Sequence, residues 1–101
     1  MIRGTTPTIQ FTFPFAVNDI TKFNMYFLQG KDTILTRTED DLQFDGQTVT
    51  ALLTQEETYL FSPKKRLEIK TRYKFSGGIV GATKPKFFEV YDTGGNAIEI
   101  L

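Results

Sequence analysis

The 101-residue chain contains no cysteine, no histidine and no tryptophan. Without cysteine there is no disulfide, no thiolate nucleophile and no thiolate metal ligand. Without histidine the one side chain that ordinarily titrates near neutral pH is missing, and with it the commonest zinc ligand. A serine or threonine nucleophile would have to use lysine as its base. The stretch Gly77-Gly78-Ile79-Val80-Gly81 has neither phosphate-loop nor dinucleotide-loop spacing. Carboxylate pairs such as Asp40–Asp41 and Glu56–Glu57 are neighbours in sequence, whereas glycoside hydrolysis needs two carboxylates facing each other across a groove. The sequence therefore predicts no catalytic residue, no cofactor and no enzyme.

Long apolar runs are also absent. No segment approaches membrane-spanning length, and MIRGTTPTIQ lacks the apolar centre of a secretory leader. These features predict a protein made in the cytoplasm, not exported by a signal peptide and not membrane-bound. The length fits one domain over residues 1–101 with a single two-layer core.

Net charge is zero, yet the charges are segregated. Residues 19–57 carry eight acids against three bases, while 58–101 carry eight bases against four acids. Such a molecule does little to repel copies of itself, which suits interlocking assembly and suits a general nucleic-acid binder poorly. Ten phenylalanines and four tyrosines are a heavy aromatic load, and any left outside the core would mark an interface.

Period-two alternation dominates the chain. TIQFTFPF sends Ile9, Phe11, Phe13 and Phe15 to one side, and Pro14 predicts a strand end or a sheet edge. Lys22 to Gln29 carries Phe23, Met25 and Phe27 on one face and Tyr26 and Leu28 on the other, which predicts a central strand or one whose outer face meets a partner. Gly30-Lys31-Asp32 and Asp45-Gly46 are hairpin signals, flanked by strands at 33–38, 42–44 and 47–53. Thr54 followed by Glu57 is a capping box opening a helical turn, which Pro63 is expected to stop. From Arg66 to Phe75 the odd positions are apolar except Thr71 and the intervening ones are charged: one strand with a buried and a wet face. Ser76-Gly77-Gly78 turns the chain, Pro85 predicts a kink or edge, and KFFEVY is a last strong strand. The terminal AIEIL predicts a short docked strand. About seven short strands with turn signals every 8–12 residues and one helical turn predict an all-β fold, an immunoglobulin-like antiparallel β-sandwich, with a small barrel as its competitor.

Two charged groups merit weighing as sites. Glu39, Asp40, Asp41 and Asp45 could offer oxygen ligands to calcium, but their spacing matches no EF-hand loop, and a solvated turn explains them better. Lys64, Lys65, Arg66, Lys70, Arg72 and Lys74 form a basic stripe. Tyr73 and Phe75 lie on the opposite strand face, so bases could not stack beside the charges as nucleic-acid platforms require. No metal and no nucleic acid are expected.

Arg3-Gly4-Thr5-Thr6-Pro7-Thr8 before an alternating phenylalanine strand, and Leu53-Thr54-Gln55-Glu56-Glu57-Thr58 before the long strand, resemble small proteins of the tail or structural regions of phages and prophages of Gram-positive bacteria. The resemblance implies an immunoglobulin-like virion component of tail or baseplate and carries over no catalytic or metal residue. The expected function is non-enzymatic assembly with itself and other phage tail proteins, as a homo-oligomer. Its candidate interface residues are Phe23, Tyr26, Leu28, Ile98, Ile100 and Leu101, with Thr54 and Glu57 as the structural cap. The alternative is a carbohydrate-binding module for host-wall glycan, presenting Tyr26, Tyr59 and Tyr91.

Overall fold

The computed structural model describes residues 1–93 and 100–101. The alternating segments form eight strands: β1 Thr8–Thr12, β2 Ile20–Gln29, β3 Asp32–Thr38, β4 Gln43–Asp45, β5 Thr48–Leu52, β6 Leu67–Phe75, β7 Val80–Ala82 and β8 Lys86–Phe88. Among the described residues one α-helix, α1 Gln55–Thr58, stands between β5 and β6, and a single 3-10 turn, Glu39–Asp41, links β3 to β4. The strands make two antiparallel sheets, one ordered β1-β5-β4 and the other β3-β2-β6-β7, with β8 also pairing β6. Their apolar faces meet across one core, giving a sandwich-like, mostly-β fold.

Alternation decides which side chains enter that core. Ile9 and Phe11 of β1, Val49 and Ala51 of β5, Phe23, Met25 and Phe27 of β2 and Leu67 and Ile69 of β6 are all buried. Phe23 is thus a core residue and presents no interface. It shares its parity with Met25 and Phe27, and its ring meets Phe44 edge-on from the opposite sheet, 5.6 Å between centroids. Phe13, Phe15, Tyr73 and Phe75 continue this cluster, with Phe13 edge-on to Tyr73 at 5.4 Å and Phe15 edge-on to Phe75 at 5.1 Å. Such pairs add about 0.5–1.5 kcal/mol each beyond their buried area. Of the ten phenylalanines only Phe87 is exposed, so the aromatic load is mostly core.

Each irregularity in the pattern has a local cause. Thr71, the polar break in β6, is buried, and its hydroxyl meets that of Thr83 at 2.6 Å. β7 and β8 are two halves of one edge alongside β6: three steps from Arg72 to Ile69 face four from Ala82 to Lys86. The extra residue is a bulge beside Pro85, which has no N–H to offer a ladder. Gly81 lies opposite Tyr73, and a Cβ there would stand 2.5 Å from the ring, so glycine is what lets the tyrosine lie across the strand. In the β4–β5 hairpin the reversal falls on Gly46-Gln47, one residue later than Asp45-Gly46, because Asp45 still pairs with Thr48.

α1 likewise stops earlier than expected. It closes at Tyr59 through short-range bonds, Leu60 N–H to Glu57 C=O and Phe61 N–H to Thr58 C=O, well before Pro63. That tight winding buries Phe61, which stacks on Phe27 at 5.9 Å. The turn after it is held by Gln29, a buried polar residue at the end of β2. Its amide donates to the carbonyls of Ser62 (2.8 Å) and Lys65 (2.9 Å) and accepts from the Ser62 N–H (2.8 Å).

Replacing Gln29 by leucine keeps much of the volume but strands three backbone groups. The expected cost is about 2 kcal/mol or more in denaturant unfolding, and a change within experimental error would show that water takes over the role of the amide.

Candidate interaction surfaces

Four residues cannot sustain a helix alone, because nucleation costs more than one turn returns. α1 is instead built from its contacts. Thr54 Oγ1 accepts from the Glu57 N–H at 3.1 Å, and a Glu57 carboxylate oxygen accepts from the Thr54 N–H at 2.9 Å, completing the capping box. The same carboxylate receives Arg37 from β3, through Nη2 to Oε1 and Nε to Oε2 at 3.1 Å. Arg37 Nη2 also donates to the Leu52 carbonyl at 2.8 Å, and Nη1 to the Asp41 carbonyl at 3.2 Å. One largely buried arginine therefore fastens the β3 edge of the larger sheet to the end of β5 in the smaller.

The chain start packs on the other side of α1. Gly4 N–H donates to Thr58 Oγ1 at 2.9 Å, and that hydroxyl is 3.2 Å from the Thr5 carbonyl and 2.9 Å from the Gln55 carbonyl. Arg3 reaches the Tyr59 carbonyl at 3.0 Å and Asp92 at 2.8 Å, and its guanidinium lies 5.4 Å from the centre of the Tyr59 ring. A Cβ on Gly4 would meet the Tyr59 hydroxyl at 2.4 Å. The RGTT and QEETY segments thus fit each other: glycine admits the tyrosine, threonine ties the backbone, arginine covers the ring. Met1 and Arg3 also pair with residues 89–91, where Ile2 forms a parallel bridge with Tyr91.

Leu101 is held at α1 by its backbone alone. Gln55 accepts from its N–H at 2.8 Å and donates to its carbonyl at 3.2 Å, while the leucine side chain is 93% exposed and Ile100 is also exposed. Ile98 lies outside the described residues. Tyr26 and Leu28 are half-buried on the outer face of β2, which is the central strand its two apolar faces predict. Tyr26, Tyr59 and Tyr91 do not line one face: Tyr26 sits on that sheet, Tyr59 covers Gly4, and Tyr91 pairs with Ile2.

The acidic group is spread across local tasks. Asp41 faces the Thr38 N–H and hydroxyl, both at 3.4 Å, and Glu39 the Phe23 N–H at 3.5 Å. Among the described residues no three carboxylates converge as a metal site would require. In the basic stripe Lys70, Arg72 and Lys74 lie exposed on β6, with Lys70 paired to Glu68 at 3.0 Å. Ser62 and Lys65 do have the Ser-x-x-Lys spacing of some nucleophile–base pairs. Here the serine hydroxyl accepts from the Lys64 N–H at 3.2 Å and the lysine ammonium extends toward Gly30.

Ile100 and Leu101, expected at an interface, are exposed, and so are Ile2 and Leu60, which nothing in the sequence singles out. Tyr91 is exposed with them. Each belongs to a segment tied to α1 or to its neighbours: Ile2 and Tyr91 through Arg3, Leu60 beside Tyr59, and the chain end through Gln55. Ile79, Val80 and Phe87 are exposed on the β6–β7 turn, β7 and β8, and such scattered apolar residues need no explanation, but a group on segments tied to one short helix fits a contact surface.

A double-mutant cycle with Arg37→Met and Glu57→Gln is expected to give a coupling of about 1–3 kcal/mol, as for a shielded, hydrogen-bonded pair. A coupling of a few tenths would put it with ordinary surface ion pairs. Comparison with protein families, with characterised proteins and with solved structures finds no match for this chain.

Proposed function

We propose that this chain is a non-enzymatic structural protein of a phage particle, a tail or baseplate component acting through contacts with copies of itself and with other tail proteins. The observation that carries the assembly part is the gathering of Ile2, Leu60, Tyr91, Ile100 and Leu101 around α1, exposed on an anchored backbone. Ordered apolar side chains cost little entropy when a partner covers them. The virion assignment rests on the resemblance of the RGTTPT and LTQEET segments, and their mutual docking gives a physical reason for the two to occur together. On this reading the protein is made in the bacterial cytoplasm and resides in the tail.

The fold reading goes with it. An immunoglobulin sandwich sets strands B-E-D against C′-C-F-G. The orders β1-β5-β4 and β3-β2-β6-β7 support that correspondence, with β8 completing the last strand and α1 in the E–F connection. A glycan-binding module finds less support, since its three tyrosines do not share a face.

Light scattering of the 11.5 kDa chain at micromolar concentration tests the reading. The expected result is a mass above the monomer, falling toward it when Ile2, Leu60 and Tyr91 are changed to serine with the unfolding midpoint unchanged. A strict monomer at every salt and concentration would refute it.

A further inference from the structure

The two ends of the sandwich carry opposite charge. At one end Gln29 draws the 62–65 turn against the end of β2, and Lys65 Nζ lies close to Gly30. Lys31, Lys64, Lys65 and Arg66 therefore surround the β2–β3 turn, with no ion pair to any of them among the described residues, and the exposed Asp32 of the same turn offsets only one of the four charges. A cleft of about 490 Å³ opens there, lined by Gly30, Lys65, Arg66, Glu68 and Phe87. Phe87, the one exposed phenylalanine, forms its apolar wall and carries the Arg66 guanidinium 4.1 Å from its ring centre. Glu68 is already occupied by Lys70.

At the other end of β2 the sign reverses. Glu39 faces Phe23, the Val17 N–H bonds to the Gly46 carbonyl, and the Ser76 N–H bonds to the Asp19 carbonyl. These contacts place Asp19, Glu39, Asp40, Asp41 and Asp45 around the start of β2, against Lys22 and Lys74 on the outer face. None of the five acids is in an ion pair among the described residues. The ten residues of β2 separate the ends by roughly 30 Å at about 3.3 Å per residue. That is about three Debye lengths at 0.1 M salt, so the ends barely neutralise each other within one copy.

We infer that the basic cleft at Lys65, Arg66 and Phe87 docks the acidic corner of a second copy, so that copies join head to tail. The inference rests on the assembly reading and gives it a direction. Pairing two copies by a two-fold through either end would set like charge on like, whereas a heterologous contact sets each end on its complement and leaves one of each kind free. Such a contact closes into a ring or extends as a row.

Charge reversal tests it at exposed positions that make no side-chain bond described above. Lys64→Glu with Lys65→Glu makes both ends acidic, and Asp40→Lys with Asp45→Lys makes both ends basic. By sedimentation in low salt each variant alone should run as a monomer, and an equimolar mixture should recover the wild-type mass. Circular dichroism on each confirms folding. If either variant associates as wild type does, or the mixture stays monomeric, the head-to-tail contact is overturned while assembly stands. If only the basic-end variant loses association, the cleft takes some other acidic surface and the inference equally fails. A monomeric wild type would remove the assembly reading and this one together.

Discussion

Everything at one end of this molecule is tied to Glu57. Its carboxylate caps a helix too short to exist unaided and at the same time holds Arg37, which spans from the larger sheet to the smaller. Because α1 is fixed there, Thr58 can receive the chain start and Gln55 the chain end. Removing the carboxylate would therefore loosen the sheet junction and both docked termini at once. Without disulfides, a domain of this size relies on such polar ties to bring distant parts of the chain into register over its aromatic core.

The sides of the sandwich are guarded against further strands. Lys86 reaches from β8 to the Gln10 carbonyl of β1 and lies 4.7 Å from the Phe11 ring, so a cation occupies that seam. Pro85 and its bulge interrupt the β7–β8 edge, β4 has only three residues, and a register shift between Phe27 and Leu28 breaks the β2–β3 ladder. These are standard devices against edge-to-edge pairing. The exposed apolar side chains at α1 and the unpaired charges of the two ends carry no such protection.

The sequence made the strands legible because period two repeats almost without error from Ile9 to Phe13, Phe23 to Phe27 and Leu67 to Phe75. It also made the capping box legible, since its residues lie three apart. What it could not convey was long-range: that RGTT meets QEETY, that Arg37 crosses to Glu57, that Gln29 is buried to hold a turn. Phe23 was an attractive surface aromatic only while the opposite sheet was unknown. Polar residues such as Gln29 and Thr71 read as breaks in a pattern until the partners Ser62 and Thr83 are seen beside them. The charge segregation was plain in the sequence, but only the strand register shows that it runs from end to end.

Small-angle X-ray scattering in low salt tests that end-to-end account most directly. The molecule measures 50 × 28 × 19 Å along its principal axes. Head-to-tail association predicts a longest dimension that grows in steps with concentration, or stops at one larger value where the row closes into a ring, while the cross-section stays that of one copy. A cross-section that thickens, or a particle that keeps the dimensions of a single copy, would contradict it.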